Sequence, residues 1–329
     1  MLEHVLNLGH QLKTDLQTSE EFTSFDNERM LIVGMGGSGV AGDVLKLMLN
    51  RHTNIDVEVR KAYNLTKSQI AARPFCLFIS YSGNTEETIS VAKDAIDQNL
   101  EWAVISSGGE LLDLAIKHDK KFVKVPDGLQ PRAAFGLMTK AVVNYLPNQT
   151  KEFFINACDE AGNYLNSLTE DTSNEVFEIS RDIAHQIGSK TAVIYAGSDL
   201  TYLVAQRWKT QINENSKSKA YVGFMPEVHH NEILSWEADP DGSKNNFILI
   251  LLRGDDHKKI DNRFELTKEL LGSKVDVLDI KNISSDNLIK DLFHLVLIGD
   301  LVSVNLADHL KIDPFNIDAI ENLKKKLKG

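Results

Sequence analysis

Short apolar runs alternate with helical patterns along most of this chain. Leu31, Ile32 and Val33 form a buried strand that stops at Gly34, and a helix is expected over about 40–50. Further strands are predicted at 55–60, 75–80, 102–106 and 122–125, with a helix over about 85–98. Residues 2–18 read as one amphipathic helix, because Leu2, Val5, Leu6, Leu8 and Leu12 recur at near-helical spacing. Helical connections fill 135–187, broken at Pro147. The alternation then resumes with strands at 192–195, 247–252 and 275–280 and a helix over 198–213, whose Leu200, Leu203, Val204, Trp208 and Ile212 share one face. The tail holds a long helix through Leu310 and, beyond Asp313 and Pro314, a last one to residue 329. Apolar strands separated by helices belong to parallel sheets covered on both faces, so the fold class is α/β with doubly wound, mainly parallel sheets. Strand starts near 31, 75 and 102 answer to those near 192, 247 and 275, which points to two similar domains, 1–150 and 151–329.

With 329 residues, 42% of them hydrophobic, two domains can each bury a core without disulfide staples. The net charge of −11 argues against a nucleic-acid partner, although a local pocket can still hold a small anion. Cys76 and Cys158 have no paired spacing, so reduced core thiols are expected rather than a disulfide or zinc site. Residues 1–16 include Glu3, His4 and Asp15 and lack an apolar core, so they do not read as a secretory leader. The stretch 292–307 is interrupted by Asp300 and is too short to span a bilayer. A soluble, cytoplasmic protein is the expectation.

Two strand-to-helix turns carry the chemistry. Gly34-Met35-Gly36-Gly37-Ser38-Gly39 can bring backbone N–H groups close to an anion. Its Gly-x-Gly-x-x-Gly pattern also matches a dinucleotide turn, with Glu58 about where a ribose-binding acid would stand, so a nicotinamide dehydrogenase is one alternative. The second turn carries Ser80, Tyr81, Ser82, Thr85 and Thr88 around Gly83 and Asn84. Thr85 alone would suffice as a helix N-cap. The remaining hydroxyls fit a phosphate that accepts several hydrogen bonds. Arg132, in Pro131-Arg132-Ala133-Ala134-Phe135-Gly136, could bind an oxyanion, though a surface arginine is the simpler reading of that loop. Glu214 closes the 198–213 helix as a candidate general base, against an ordinary exposed Glu in a polar turn. Pro226-Glu227-Val228-His229-His230-Asn231-Glu232 lacks metal-ligand spacing and suits an acid–base histidine better than a metal.

In this order and spacing the five segments resemble the bifunctional phosphoglucose/phosphomannose isomerase family, which is built from two sugar-isomerase (SIS) domains. The resemblance implies reversible aldose–ketose isomerisation of hexose 6-phosphates through a cis-enediolate, with no metal and no cofactor. It implies that Gly37, Ser38, Ser80, Ser82 and Thr85 hold the phosphate and that Glu214 moves the proton between C1 and C2. Arg132 would stabilise the enediolate, and His230 would assist ring opening from the neighbouring subunit of a homodimer. Lys324, in the last helix, matches the family's C-terminal lysine. The family carries a small polar residue two turns before that lysine, tied to the mannose epimer; here Ile317 stands seven residues before Lys324, which favours glucose 6-phosphate over mannose 6-phosphate. The alternative from another class is a non-catalytic SIS regulator of sugar-phosphate supply. Residues 1–28 are acidic and leave no room for the DNA-binding segment such a regulator needs.

Overall fold

In the computed structural model, which describes residues 1–20, 28–238 and 240–327, the chain opens with two short helices, α1 (Leu2–Leu6) and α2 (Leu8–Leu12). The single helix expected over 2–18 is not formed. Met1–Val5 pack with one compact unit of the protein and the residues from Leu6 onward with the other, so the apolar period is shared between two cores. Beyond Lys13, Gln17 and Thr18 turn into a strand, β1 (Gln17–Thr18). Local periodicity here yields to tertiary pairing.

The first unit comprises Leu6–Ser167 with Asn287–Lys290. It runs through β2 (Arg29–Gly34), α3 (Gly36–His52), β3 (Asp56–Arg60), α4 (Lys67–Ala72), β4 (Phe75–Ile79), α5 (Glu86–Asp97) and β5 (Trp102–Ser106). After these come α6 (Gly109–Lys117), β6 (Phe122–Lys124), α7 (Phe135–Val143) and α8 (Asn148–Thr169). The strands lie in the order β1-β6-β5-β4-β2-β3, all parallel except for the antiparallel edge pair of β1 with β6. One face of this sheet buries Leu31, Val33, Cys76, Phe78, Trp102 and Val104 against Val91, Ala92 and Ala95 of α5 and Leu111 of α6. Alternate strand residues share a face because the pleat has a period of two. The α3 helix begins at Gly36, four residues before the expected start, so the glycine-rich turn forms its first turn.

The second unit comprises Met1–Val5, Leu168–Asp286 and Asp291–Gly329. It contains α9 (Glu175–Ile187), β7 (Thr191–Ala196), α10 (Asp199–Gln211), β8 (Ala220–Phe224), α11 (Pro240–Asn246) and β9 (Phe247–Arg253). Then follow α12 (Lys258–Leu271), β10 (Asp276–Lys281), α13 (Leu288–His309) and α14 (Asp318–Leu327). Residues 328 and 329, expected to end the last helix, lie outside the described residues. The sheet order is β10-β9-β7-β8, parallel throughout. Matched strand for strand, β5-β4-β2-β3 and β10-β9-β7-β8 are the same arrangement. In each, the chain steps one way from the first strand (β2 or β7) and then returns to its other side. The reversal creates a crevice at the carboxyl ends of β2 and β4, and another at those of β7 and β9. Such switch points are where open α/β sheets bind ligands.

Candidate active site

Both hydroxyl-bearing turns of the first unit lie at its switch point. Gly34 ends β2, and Gly36 adopts φ +52°, which starts α3 at once. Gly37 runs against the 131–132 backbone: a Cβ there would sit 3.1 Å from the Pro131 oxygen. The buried Ser38 hydroxyl accepts the Tyr81 N–H at 3.0 Å and so ties the start of α3 to the end of β4. In the second turn Ser80 and Thr85 pair through their hydroxyls at 2.9 Å, and the Gly83 N–H donates to the Ser80 hydroxyl at 3.1 Å. Ser82 accepts the Asn84 N–H at 3.3 Å. Gly83 sits at φ +68°, and a Cβ there would collide with the Gly108 oxygen. Tyr81 and Thr88 play other parts. The Tyr81 hydroxyl donates to the Pro126 oxygen and accepts the Leu129 N–H, both at 3.0 Å, while Thr88 is wholly buried on α5.

Neither helix at this crevice is capped by the residue placed to do it. Met35 precedes α3 with no side-chain cap, and Thr85 precedes α5 with its hydroxyl turned to Ser80 instead of the helix. Two helices of 17 and 12 residues thus present N-terminal amides beside small hydroxyls. Helix N-termini carry unsatisfied donors and partial positive charge, the makings of an anion cradle. Arg132 joins this region from a single 3-10 turn, Pro131–Ala133, and is buried, which overturns the surface reading of that arginine. Gln11 of α2 holds the turn in place, donating to the Ala133 oxygen at 2.9 Å and accepting the Leu137 N–H at 3.2 Å. Glu58 accepts Gln69 Nε2 at 2.6 Å on the outer strand and is spent there, so the ribose-binding role considered for it loses its support.

The equivalent crevice of the second unit is filled by its own side chains. Ser198 caps α10 in a capping box with Thr201, and His257 caps α12 through Lys259 N. The Asp256 carboxylate lies between them. Its Oδ2 accepts the Gly254 N–H at 3.0 Å. Burial pushes the Asp256 carboxyl above its usual range.

Glu214, His230 and Lys324 belong to the second unit. Past Gln211, α10 continues as one π-helical turn, Ile212–Ser216, which carries Glu214 half-buried and Asn215 fully buried. Lys217 donates from Nζ to the Glu214 backbone oxygen at 2.8 Å and to the Asp313 oxygen at 2.9 Å, closing the turn. His229 Nε2 lies 2.8 Å from Thr267 Oγ1, and its Nδ1 lies 3.0 Å from Arg263 Nη1. An arginine can only donate, so Nδ1 accepts and Nε2 carries the proton. Burial and the Arg263 charge hold this histidine below its usual range, hence neutral. His230, next in the chain, is exposed, as is Lys324 on α14. Among the described residues no group of three His, Cys, Asp or Glu is placed to hold a metal, and no helix is long and apolar enough to cross a membrane.

Comparison with known proteins agrees with this layout. A family model described as SIS domain matches residues 25–110, and one described as bacterial phospho-glucose isomerase C-terminal SIS domain matches 178–327. A protein of Caldicellulosiruptor bescii named bifunctional phosphoglucose/phosphomannose isomerase is 32% identical, over 99% of this chain and 98% of its own. The chain belongs to the bifunctional phosphoglucose/phosphomannose isomerase family. A D-glucosamine-6-phosphate 4-epimerase of Sulfolobus acidocaldarius is 31% identical, over 91% of this chain and 89% of its own. Among solved structures, the C-terminal domain of glucosamine-fructose-6-phosphate aminotransferase from Francisella tularensis superposes with a TM-score of 0.71 at 14% identity, covering 95% of this chain and 96% of that one. At that identity the likeness is one of fold.

In this phosphoglucose/phosphomannose isomerase relative, Gly37, Ser38, Ser80, Ser82, Thr85 and Arg132 share the first unit, and the proton-handling candidates share the second. Gln11 was not legible as part of the site. It occupies an apolar position of an amphipathic pattern, and only its bonds to Ala133 of the Arg132 turn and to Leu137 of α7 reveal its work.

Proposed function

We propose that this chain interconverts glucose 6-phosphate and fructose 6-phosphate, and accepts mannose 6-phosphate as the epimer, by moving one proton between C1 and C2. The observation that carries this reading is the uncapped pair of helix ends beside Ser38, Ser80, Ser82 and Thr85. That cradle suits a phosphate dianion, whose binding energy then orients the reacting carbons. Ring opening needs a proton on the ring oxygen and the loss of one from O1. His230 performs this from the partner subunit of a homodimer. Glu214 takes the C2 proton of the open aldose and returns it at C1. The electron pair left behind forms the C1–C2 double bond of a cis-enediolate, whose oxygen charge is met by Arg132 and Lys324. No step calls for a metal or a redox cofactor. Turnover takes place in the cytoplasm, where hexose phosphates are retained.

The test is a coupled assay on the whole chain with fructose 6-phosphate, mannose 6-phosphate and glucosamine 6-phosphate side by side. Glu214→Gln should fold normally and lose about 10²–10⁴-fold in kcat, the usual range for removing a general base. Thr85→Val should raise KM by about tenfold or more, since a hydrogen bond to a charged group is worth about 1.5–3 kcal/mol. Turnover of glucosamine 6-phosphate alone, or full activity in Glu214→Gln, would overturn the proposal.

A further inference from the structure

The π-helical turn that carries Glu214 rests on a buried polar chain that the reaction itself does not use. Arg207 of α10 grips Asp300 of α13 with two bonds, Nε to Oδ1 at 3.0 Å and Nη2 to Oδ2 at 2.6 Å. Both side chains are almost wholly buried, at 2% and 5% exposure. The Gln211 carboxamide lies between the Arg207 guanidinium and Asn215, 2.9 Å from Arg207 Nη2 on one side and 3.0 Å from Asn215 Nδ2 on the other. Asn215 Nδ2 donates to the Ser303 hydroxyl at 2.9 Å, and Ser303 in turn donates to the Asp300 backbone oxygen at 2.7 Å. Arg207, Gln211, Asn215, Asp300 and Ser303 are therefore one connected group between two helices. All are buried polar residues in a region otherwise filled by Trp208, Leu301 and Val302.

Such a group is costly to bury and contributes little stability that apolar side chains could not supply. What it does supply is register. A π turn takes one more residue than an α turn, so it needs its own anchors. Here Asn215 is drawn inward to Ser303, Ser216 bonds the Ile212 oxygen at 2.7 Å, and the intervening peptide leaves Glu214 on the less buried side. We propose that Asn215 and Ser303 are positioning residues for Glu214. The inference rests on Glu214 being the base.

The test measures kcat, KM and competitive inhibition by inorganic phosphate for Ser303→Ala, Asn215→Ala, Glu214→Gln and the double variant Ser303→Ala/Glu214→Gln, all well below their melting temperatures. Ser303→Ala removes a single oxygen and keeps the packing, so it reports even where Asn215→Ala folds poorly. A displacement of the base by about 1 Å costs up to ~10²-fold in rate. Ser303→Ala should therefore lower kcat about tenfold to a hundredfold, with KM and phosphate inhibition within about twofold of wild type. In the Glu214→Gln background the same substitution should lower the residual rate no further, because a group that acts through Glu214 has nothing left to position. Wild-type kcat in both Ser303→Ala and Asn215→Ala, with Glu214→Gln inactive, overturns the positioning role and leaves the base standing. So does an equal further loss in the double variant. An active Glu214→Gln enzyme overturns the base reading instead.

Discussion

Replacing Arg207 by methionine strands the Asp300 carboxylate in the interior of the second unit. The pair makes two bonds of 3.0 and 2.6 Å at 2% and 5% exposure. With charge centres about 4 Å apart and an effective dielectric near 20, the attraction is about 4 kcal/mol. Removing one partner of such a pair costs about 3–5 kcal/mol, because the survivor stays desolvated. Burial already pushes the Asp300 carboxyl up, and Arg207 pulls it back towards its usual range. Without Arg207 the shift grows. A carboxyl whose folded-state pKa is raised contributes its stability below the unfolded value, near 3.8, and loses it as pH rises through the folded value. The deficit of Arg207→Met should thus be largest near pH 8 and shrink towards pH 5. Urea unfolding followed by tryptophan emission reads this in a Trp102→Phe background, where the remaining Trp208 and Trp236 both report the second unit. Pairing the change with Asp300→Leu should recover most of the loss. A deficit under about 1 kcal/mol at pH 8, no dependence on pH, or no recovery in the double variant would refute the reasoning.

Gly83→Ala should lower the melting temperature and weaken phosphate inhibition together, because φ +68° and the Gly108 oxygen both exclude a side chain; a melting curve and an inhibition series check it. His229→Gln should flatten the acid limb of the stability profile. The wild-type imidazole is held below its usual range, so its contribution is complete above about pH 6.5 and lost as pH falls below that; thermal melts from pH 8 to pH 5 test this. Gln11→Leu should reduce kcat more than it changes KM, since it releases the turn that carries Arg132 while the bonds within the Ser80–Thr85 turn remain; steady-state kinetics check it.

Both sheets could be read from the sequence where strands are continuous apolar runs. Leu31 to Val33, Phe75 to Ile79 and Phe247 to Leu252 needed no tertiary information. β8 was missed because it lies at an edge, where Tyr221 faces solvent and Gly223 interrupts the pattern. α12 was missed because Lys258, Lys259, Asp261, Asn262 and Arg263 open it with charge and leave a thin buried stripe of Phe264, Thr267 and Leu271. The two hydroxyl-bearing turns were legible from residue type alone. The burial of Arg132 was not, since a three-residue 3-10 turn has no period to read. The bonding of His229 was equally hidden. It depends on Arg263 and Thr267, 34 and 38 residues away. A π turn leaves no periodic trace in sequence either, because its anchors, Ser303 and Asp313, come from a distant helix and loop.

The Asp256 carboxylate within the second crevice has a consequence for stoichiometry. The two sheets share a four-strand order and so a crevice each, but in the second an internal carboxylate sits where an anion would be held. Titrated with inorganic phosphate, each polypeptide should saturate at a single equivalent, however alike its halves look in outline. Substitutions around Asp256 then act on the packing of the second unit, apart from any that act on the turn around Ser80.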